Sequence, residues 1–163
     1  MPTAAPRALI TRPEPEASHW VQALQARGIA AAALPLICIA GAPDPQALAG
    51  AQQGLGDYDA VMVVSGSAAR HFFDSNEALA LIQQANTAIK TRVWAPGPGT
   101  AAMLQALGVP AHRIDQPAAD AGQFDSESLW RSVGASVRPG HRVLIVRGGE
   151  AGGGGAGSGR DWL

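Results

Sequence analysis

Three segments of the chain bring glycine together with hydroxyl or guanidinium groups: Val64-Ser65-Gly66-Ser67, Pro96-Gly97-Pro98-Gly99-Thr100 and Val146-Arg147-Gly148-Gly149. Each follows an apolar run that reads as a strand. In an open parallel sheet, ligands bind in the crevice beyond the carboxyl ends of the strands. Helices that start there aim free N–H groups and the positive end of their dipole at the crevice. Glycine lets a ligand approach the backbone, and Ser or Thr adds a hydroxyl. The three together suit a carboxylate or a phosphate, although any one of them alone is also what an ordinary helix cap looks like.

Other chemistry is poorly served. Pro96 to Thr100 lacks the G-x-G-x-x-G of a dinucleotide site, and the tract Gly152–Gly159 lacks the Gly-Lys-Ser/Thr of a P-loop and reads as a flexible insertion. His19, His71, His112 and His141 show no metal-ligand spacing, and His71, beside Arg70, reads as a surface residue. No glycine precedes Ser65 in the frame of a nucleophile elbow. Trp20, Trp94, Trp130 and Trp162 are too scattered to make a stacking ladder and read as packing residues. The single cysteine, Cys38, excludes an internal disulfide and a cysteine-cluster metal site; between Ile37 and Ile39 it reads as a small core residue.

The elements that must position these turns alternate between strand and helix. Ala8-Leu9-Ile10-Thr11 reads as a strand broken by Arg12-Pro13, and Ala17, Trp20, Val21 and Leu24 give helical spacing over 14–27, with Gly28 as its stop. Residues 29–39 are extended, and Pro35 marks them as an edge strand or a connector between domains. A weak helix over 46–53 precedes the clearest strand, Asp59–Ser65, apolar on both faces like a central parallel strand. Gly66-Ser67 reads as a turn into a helix carrying Ala68, Ala69, Phe72 and Phe73; helices are also expected over 76–89 and 100–107, strands over 92–95, 111–115 and 141–147, and a helix start near Asp125 or Ser126. The last strand reads as buried. The alternation predicts an α/β fold with a parallel sheet. The chain stops at Asp161-Trp162-Leu163, the first turn of an amphipathic helix, so the expectation is a fold incomplete at its C-terminus.

Composition narrows the setting. The chain has 163 residues, 47% of them hydrophobic, which suffices for an ordinary core. Twelve basic and 13 acidic residues leave a formal charge of −1, with no global drive toward nucleic acid or anionic membranes. No apolar run approaches the roughly 20 residues that span a bilayer, and no secretory signal opens the chain, so the expectation is a soluble cytoplasmic protein.

Taken in order, these segments resemble uroporphyrinogen-III synthase. Leu9-Ile10-Thr11-Arg12-Pro13 with Leu34-Pro35-Leu36-Ile37 resembles the family's opening. Tyr58 through Ser65 with Ala68, Arg70 and Phe72-Phe73 resembles its next strand and helix. Gly97-Pro98-Gly99-Thr100-Ala101, Leu104, Gly108-Val109-Pro110, Ser126-Glu127-Ser128-Leu129 and Val143 to Gly148 follow in register. The resemblance implies a bilobal α/β protein of parallel-sheet, flavodoxin-like units joined by a two-strand connector. Residues 1–33 would belong to the first lobe, 34–39 to the connector and 40–163 to an inserted second lobe, incomplete here. It implies a cyclising lyase that converts the linear tetrapyrrole hydroxymethylbilane to uroporphyrinogen III, inverting ring D and releasing water in haem biosynthesis. No cofactor and no metal are implied, and the parent is expected to be a monomer. Substrate contacts would be Thr11, Arg12, Ser65, Gly66, Ser67, Gly97, Thr100 and Arg147; no catalytic acid can be assigned. The alternatives are a non-catalytic α/β module that binds a small anion, or an inactive fragment. A receiver-like module would need acidic residues clustered at a strand's carboxyl end, which none of these strands offers.

Overall fold

The computed structural model describes residues 7–74, 76–83 and 90–148. The chain divides into two compact units, residues 1–41 and 42–163.

The first unit is a single βαβ turn. Strand β1 (Arg7–Ile10) leads to helix α1 (Glu16–Gln25) and returns to β2 (Ala30–Ala33), parallel to β1 with Arg7 opposite Ala30 and Ile10 opposite Ala33. Helix α1 ends where Gly28 takes φ +75°, a left-handed conformation that glycine adopts without steric cost, and the Arg27 guanidinium donates to Ala23 O at 3.1 Å. Pairing continues past β2 through Leu34 N–H to Ile10 O at 2.8 Å, and then loosens. Pro35 has no N–H to contribute.

Two expectations fail in this unit. Cys38 is exposed, not a core residue, and its neighbours Leu36 and Ile37 are exposed too. Leu34, Leu36, Ile37 and Ile39 of the segment 34–40 are all exposed, Leu36 and Ile37 most of all. Trp20 is half-exposed because the sheet beneath α1 offers alanines on β2; Ala17 is the one fully buried side chain among the unit's described residues.

The second unit is built on a four-stranded, wholly parallel sheet in the order β5-β4-β3-β6. Its elements are α2 (Pro45–Gln53), β3 (Ala60–Val63), α3 (Gly66–Phe73), α4 (Asn76–Gln83), β4 (Arg92–Trp94), α5 (Pro98–Ala106), β5 (Ile114–Asp115), α6 (Ser126–Val133) and β6 (Val143–Val146). Strand residues alternate between the two faces. Val61, Val63 and Val93 face a core with Leu55, Ala69, Phe72, Ile82 and Leu104, whereas Ala60 and Trp94 pack with Leu129 and Val133 of α6. Helices therefore cover both faces, and the apolar Ala60–Val63 run is explained. The amino end of the sheet is tied by Thr91, fully buried, whose hydroxyl reaches Tyr58 O at 2.7 Å and Leu55 O at 3.1 Å. Arg92 grips the Asp115 carboxylate with two nitrogens, which raises its own pKa further.

Several boundaries shift. Helix α5 begins at Pro98, two residues before the expected Thr100, because proline suits the first helical position and Gly97 takes the cap. Residues 111–113 form a 3₁₀ turn rather than strand, leaving only Ile114–Asp115 paired. Strand β6 is not buried: Ile145 is 41% exposed, since β6 pairs only with β3 among the described residues. Trp130 is half-exposed and lies across Gly134 at the end of its own helix, where a Cβ would stand 3.1 Å from the ring. The expected helix beyond Gln83, the tract Gly152–Gly159 and Trp162 fall outside the described residues. No described helix is long and apolar enough to cross a membrane.

Candidate functional site

The sheet order makes neighbours of the three glycine-bearing turns. Met62 of β3 pairs with Trp94 of β4, and Val63 pairs with Val146 of β6. All run parallel, so residues 64–67, 95–100 and 147–148 leave the same edge, at the carboxyl ends of adjacent strands. Ala95 N–H also bonds to Asp115 O at 2.9 Å, so the loop after β5 departs from this edge as well.

Ser65 is the cap of α3. Its hydroxyl accepts from the Ala68 N–H at 3.1 Å, in the extended backbone conformation that a capping residue needs. Gly66 opens α3 against the middle of α5; a Cβ there would lie 3.6 Å from the Met103 side chain, an ordinary packing distance. Ser67 is half-buried in the first turn. Gly97 caps α5 without a side-chain bond, and Thr100 sits in that helix's first turn at 9% exposure. Arg147 is exposed at the end of β6. Ser65, Gly66, Ser67, Gly97, Thr100 and Arg147 thus share one edge. Thr11 and Arg12 lie in the other unit: they follow β1, both exposed, and the Arg12 guanidinium pairs with Glu16 Oε2 at 2.7 Å.

One side chain at this edge escaped the sequence reading. Phe124, in the loop between β5 and α6, stands over Gly97: a Cβ on that glycine would come within 3.3 Å of the Phe124 Cβ. The residue is 47% exposed. The neighbouring Asp125 caps α6, accepting from the Ser128 N–H at 2.7 Å, and that backbone bond holds its carboxyl below the usual range. An apolar residue before a cap ordinarily reads as a hydrophobic staple, so the pattern gave no sign that Phe124 would be open to solvent.

The edge offers two helix starts, hydroxyls, an exposed guanidinium and an aromatic ring. It holds no group of three metal-ligating side chains among the described residues. Its chemistry is that of binding an anionic, partly apolar molecule through backbone N–H groups.

A sequence model of the family described as uroporphyrinogen-III synthase HemD matches residues 18–153. The chain belongs to the uroporphyrinogen-III synthase family. The match takes in all of the second unit's sheet and its three turns. Among solved structures, the uroporphyrinogen III synthase of the extremely thermophilic bacterium Thermus thermophilus is similar at 16% identity with a TM-score of 0.45, covering 90% of this chain and 53% of that one. The chain therefore spans about half the length of that synthase. No curated protein matches the chain by sequence.

Proposed function

We propose that this chain supplies the substrate-binding edge of a uroporphyrinogen-III synthase, which closes hydroxymethylbilane into uroporphyrinogen III with inversion of ring D and loss of water. The observation that carries the reading is the alignment of the Ser65–Ser67, Gly97–Thr100 and Arg147 turns at one edge of a parallel sheet, in a chain of this family. The substrate carries eight carboxylates. Helix N-termini, hydroxyls and Arg147 are suited to hold several of them, in part through charge-assisted bonds. Inversion of the last ring requires the linear chain to be held in one folded conformation, which is a positioning task. Departure of the hydroxyl group as water requires a proton, and the cationic azafulvene left behind requires stabilisation.

In this reading residues 1–33 form part of a first lobe, 34–39 the outward connector and 40–163 an inserted lobe, each lobe a flavodoxin-like unit. Thr11 and Arg12 contribute contacts from the first lobe. The enzyme is a cytoplasmic lyase that acts as a monomer and draws on no cofactor.

Thr100 provides the test. The residue is nine-tenths buried in the first turn of α5. Thr100→Val keeps the volume and deletes the hydroxyl. In the complete enzyme, loss of a bond to a carboxylate costs about 1.5–3 kcal/mol, roughly 10- to 150-fold in rate. Uncatalysed closure gives the non-inverted isomer, so product should also shift toward uroporphyrinogen I. Rate, isomer ratio and melting temperature are measured on the same variant. A lower melting temperature with unchanged rate and isomer ratio reduces Thr100 to a packing role.

A further inference from the structure

We propose that Phe124 is the apolar wall on which one pyrrole ring of the substrate rests, and that Gly97 sets its position. The inference depends on the function proposed above and names a contact inside that site. A half-exposed phenylalanine at the carboxyl edge of a sheet is an apolar surface in an otherwise polar, N–H-lined place. Its base is fixed, because the Phe124 Cβ packs at the point where any side chain on residue 97 would begin, 3.3 Å from an ideal Cβ. Gly97 has φ −161° and ψ 164°, an extended conformation open to every residue type, so backbone strain does not demand glycine there. A Cβ there would instead crowd the Phe124 Cβ and displace it by a few tenths of an ångström. The same glycine caps α5, whose first N–H groups point beyond the strand. A ligand that sets a carboxylate at those N–H groups would lie beside Phe124, whose Cβ stands over Gly97. A linear tetrapyrrole has a constitution that fits: planar π-rings, each carrying short carboxylate arms. Offset or edge-to-face contact between such rings is favourable beyond the area it buries.

The test uses the complete enzyme with hydroxymethylbilane. Phe124→Ala should raise KM about tenfold and increase the share of uroporphyrinogen I, with the melting temperature unchanged. Phe124→Tyr should restore both, and Phe124→Leu, apolar but not aromatic, should restore neither fully. Gly97→Ala should raise KM in the wild-type background and have no further effect in Phe124→Ala, since its Cβ then displaces nothing. The proposal is overturned if Phe124→Ala keeps the wild-type KM and isomer ratio, if Phe124→Leu equals wild type, or if Gly97→Ala acts equally in both backgrounds. Should Phe124→Ala melt early, the Leu and Tyr pair decides the matter alone. A wild-type enzyme that forms no uroporphyrinogen III removes the parent reading, whereas an active enzyme indifferent to Phe124 removes only this one.

Discussion

Glycines at single positions do different work in this chain, and their surroundings tell them apart. At Gly97 a Cβ would crowd Phe124, whereas at Gly108 the backbone itself favours glycine. Gly108 takes φ +97° at the end of α5, and a Cβ there would also stand 2.8 Å from Gln83 Nε2, the amide that donates to Gly108 O at 2.9 Å. Gly140 has a similar φ of +89° but nothing within 4 Å of its Cβ position. Both lie in the unit of residues 42–163, so they can be compared directly. Alanine at either pays the left-handed strain, about 1–2 kcal/mol. Alanine at 108 must also push the Gln83 amide aside and lose its bond. Gly108→Ala should therefore unfold at lower urea concentration than Gly140→Ala, with the same slope. Equal midpoints would mean that the Gln83 contact contributes nothing. The helix stop at Gly108 was legible from the sequence, since a glycine after an apolar helical run is a common terminator. Its second constraint was not, because Gln83 is 25 residues away along the chain.

At the scale of elements, legibility followed locality. Strand β3 announced itself as central because Ala60-Val61-Met62-Val63 is apolar on both faces and the sheet does cover both. Strand β6 carries nearly the same composition and was misread as buried. Four apolar residues do not reveal how many neighbours a strand has, and β6 has one among the described residues. The start of α6 was narrowed to Asp125 or Ser126, and the geometry selects Asp125 through its bond from Ser128 N–H. That cap has a pH signature. A carboxyl whose folded pKa is depressed stabilises above the unfolded value, about 3.9, and loses that contribution as pH falls through the lower folded value. The helix dipole acts in the same direction. Asp125→Ala should therefore lower the melting temperature at pH 7, and the gap to wild type should narrow steadily as pH drops below about 4. A gap independent of pH from 7 to 2.5 would show that the ionised carboxylate is not what caps the helix.

The two units of the molecule differ in what holds them. Residues 42–148 surround a core with Phe72, Leu55, Ile82, Leu104 and Val61 fully buried. Among the described residues before position 42, only Ala17 is fully buried, while Leu9, Leu34, Leu36 and Ile37 are exposed, Leu36 at 69%. Ordering each residue costs roughly 1–2 kcal/mol of backbone entropy, and burial returns only about 25 cal/mol per Å². One fully buried alanine, a few partly buried side chains such as Ile10, Val21, Leu24 and Ile29, and a two-stranded parallel ladder return far less than the core of the second unit, and even a hairpin is marginal alone. The four-stranded sheet with helices on both faces does not have this deficit. The 163-residue polypeptide should thus open locally in its first unit far more often than in its second. Thermolysin, which cuts ahead of Leu and Ile, should cleave first at residues 36–39 and leave a resistant core beginning near Ala42, readable by mass spectrometry. The same exposed side chains should make the polypeptide self-associate as its concentration rises, visible by light scattering, and Leu36→Ser with Ile37→Ser should reduce that association without altering the resistant core. Simultaneous digestion of both units, or a core that begins upstream of β1, would contradict the unequal stabilities argued from burial.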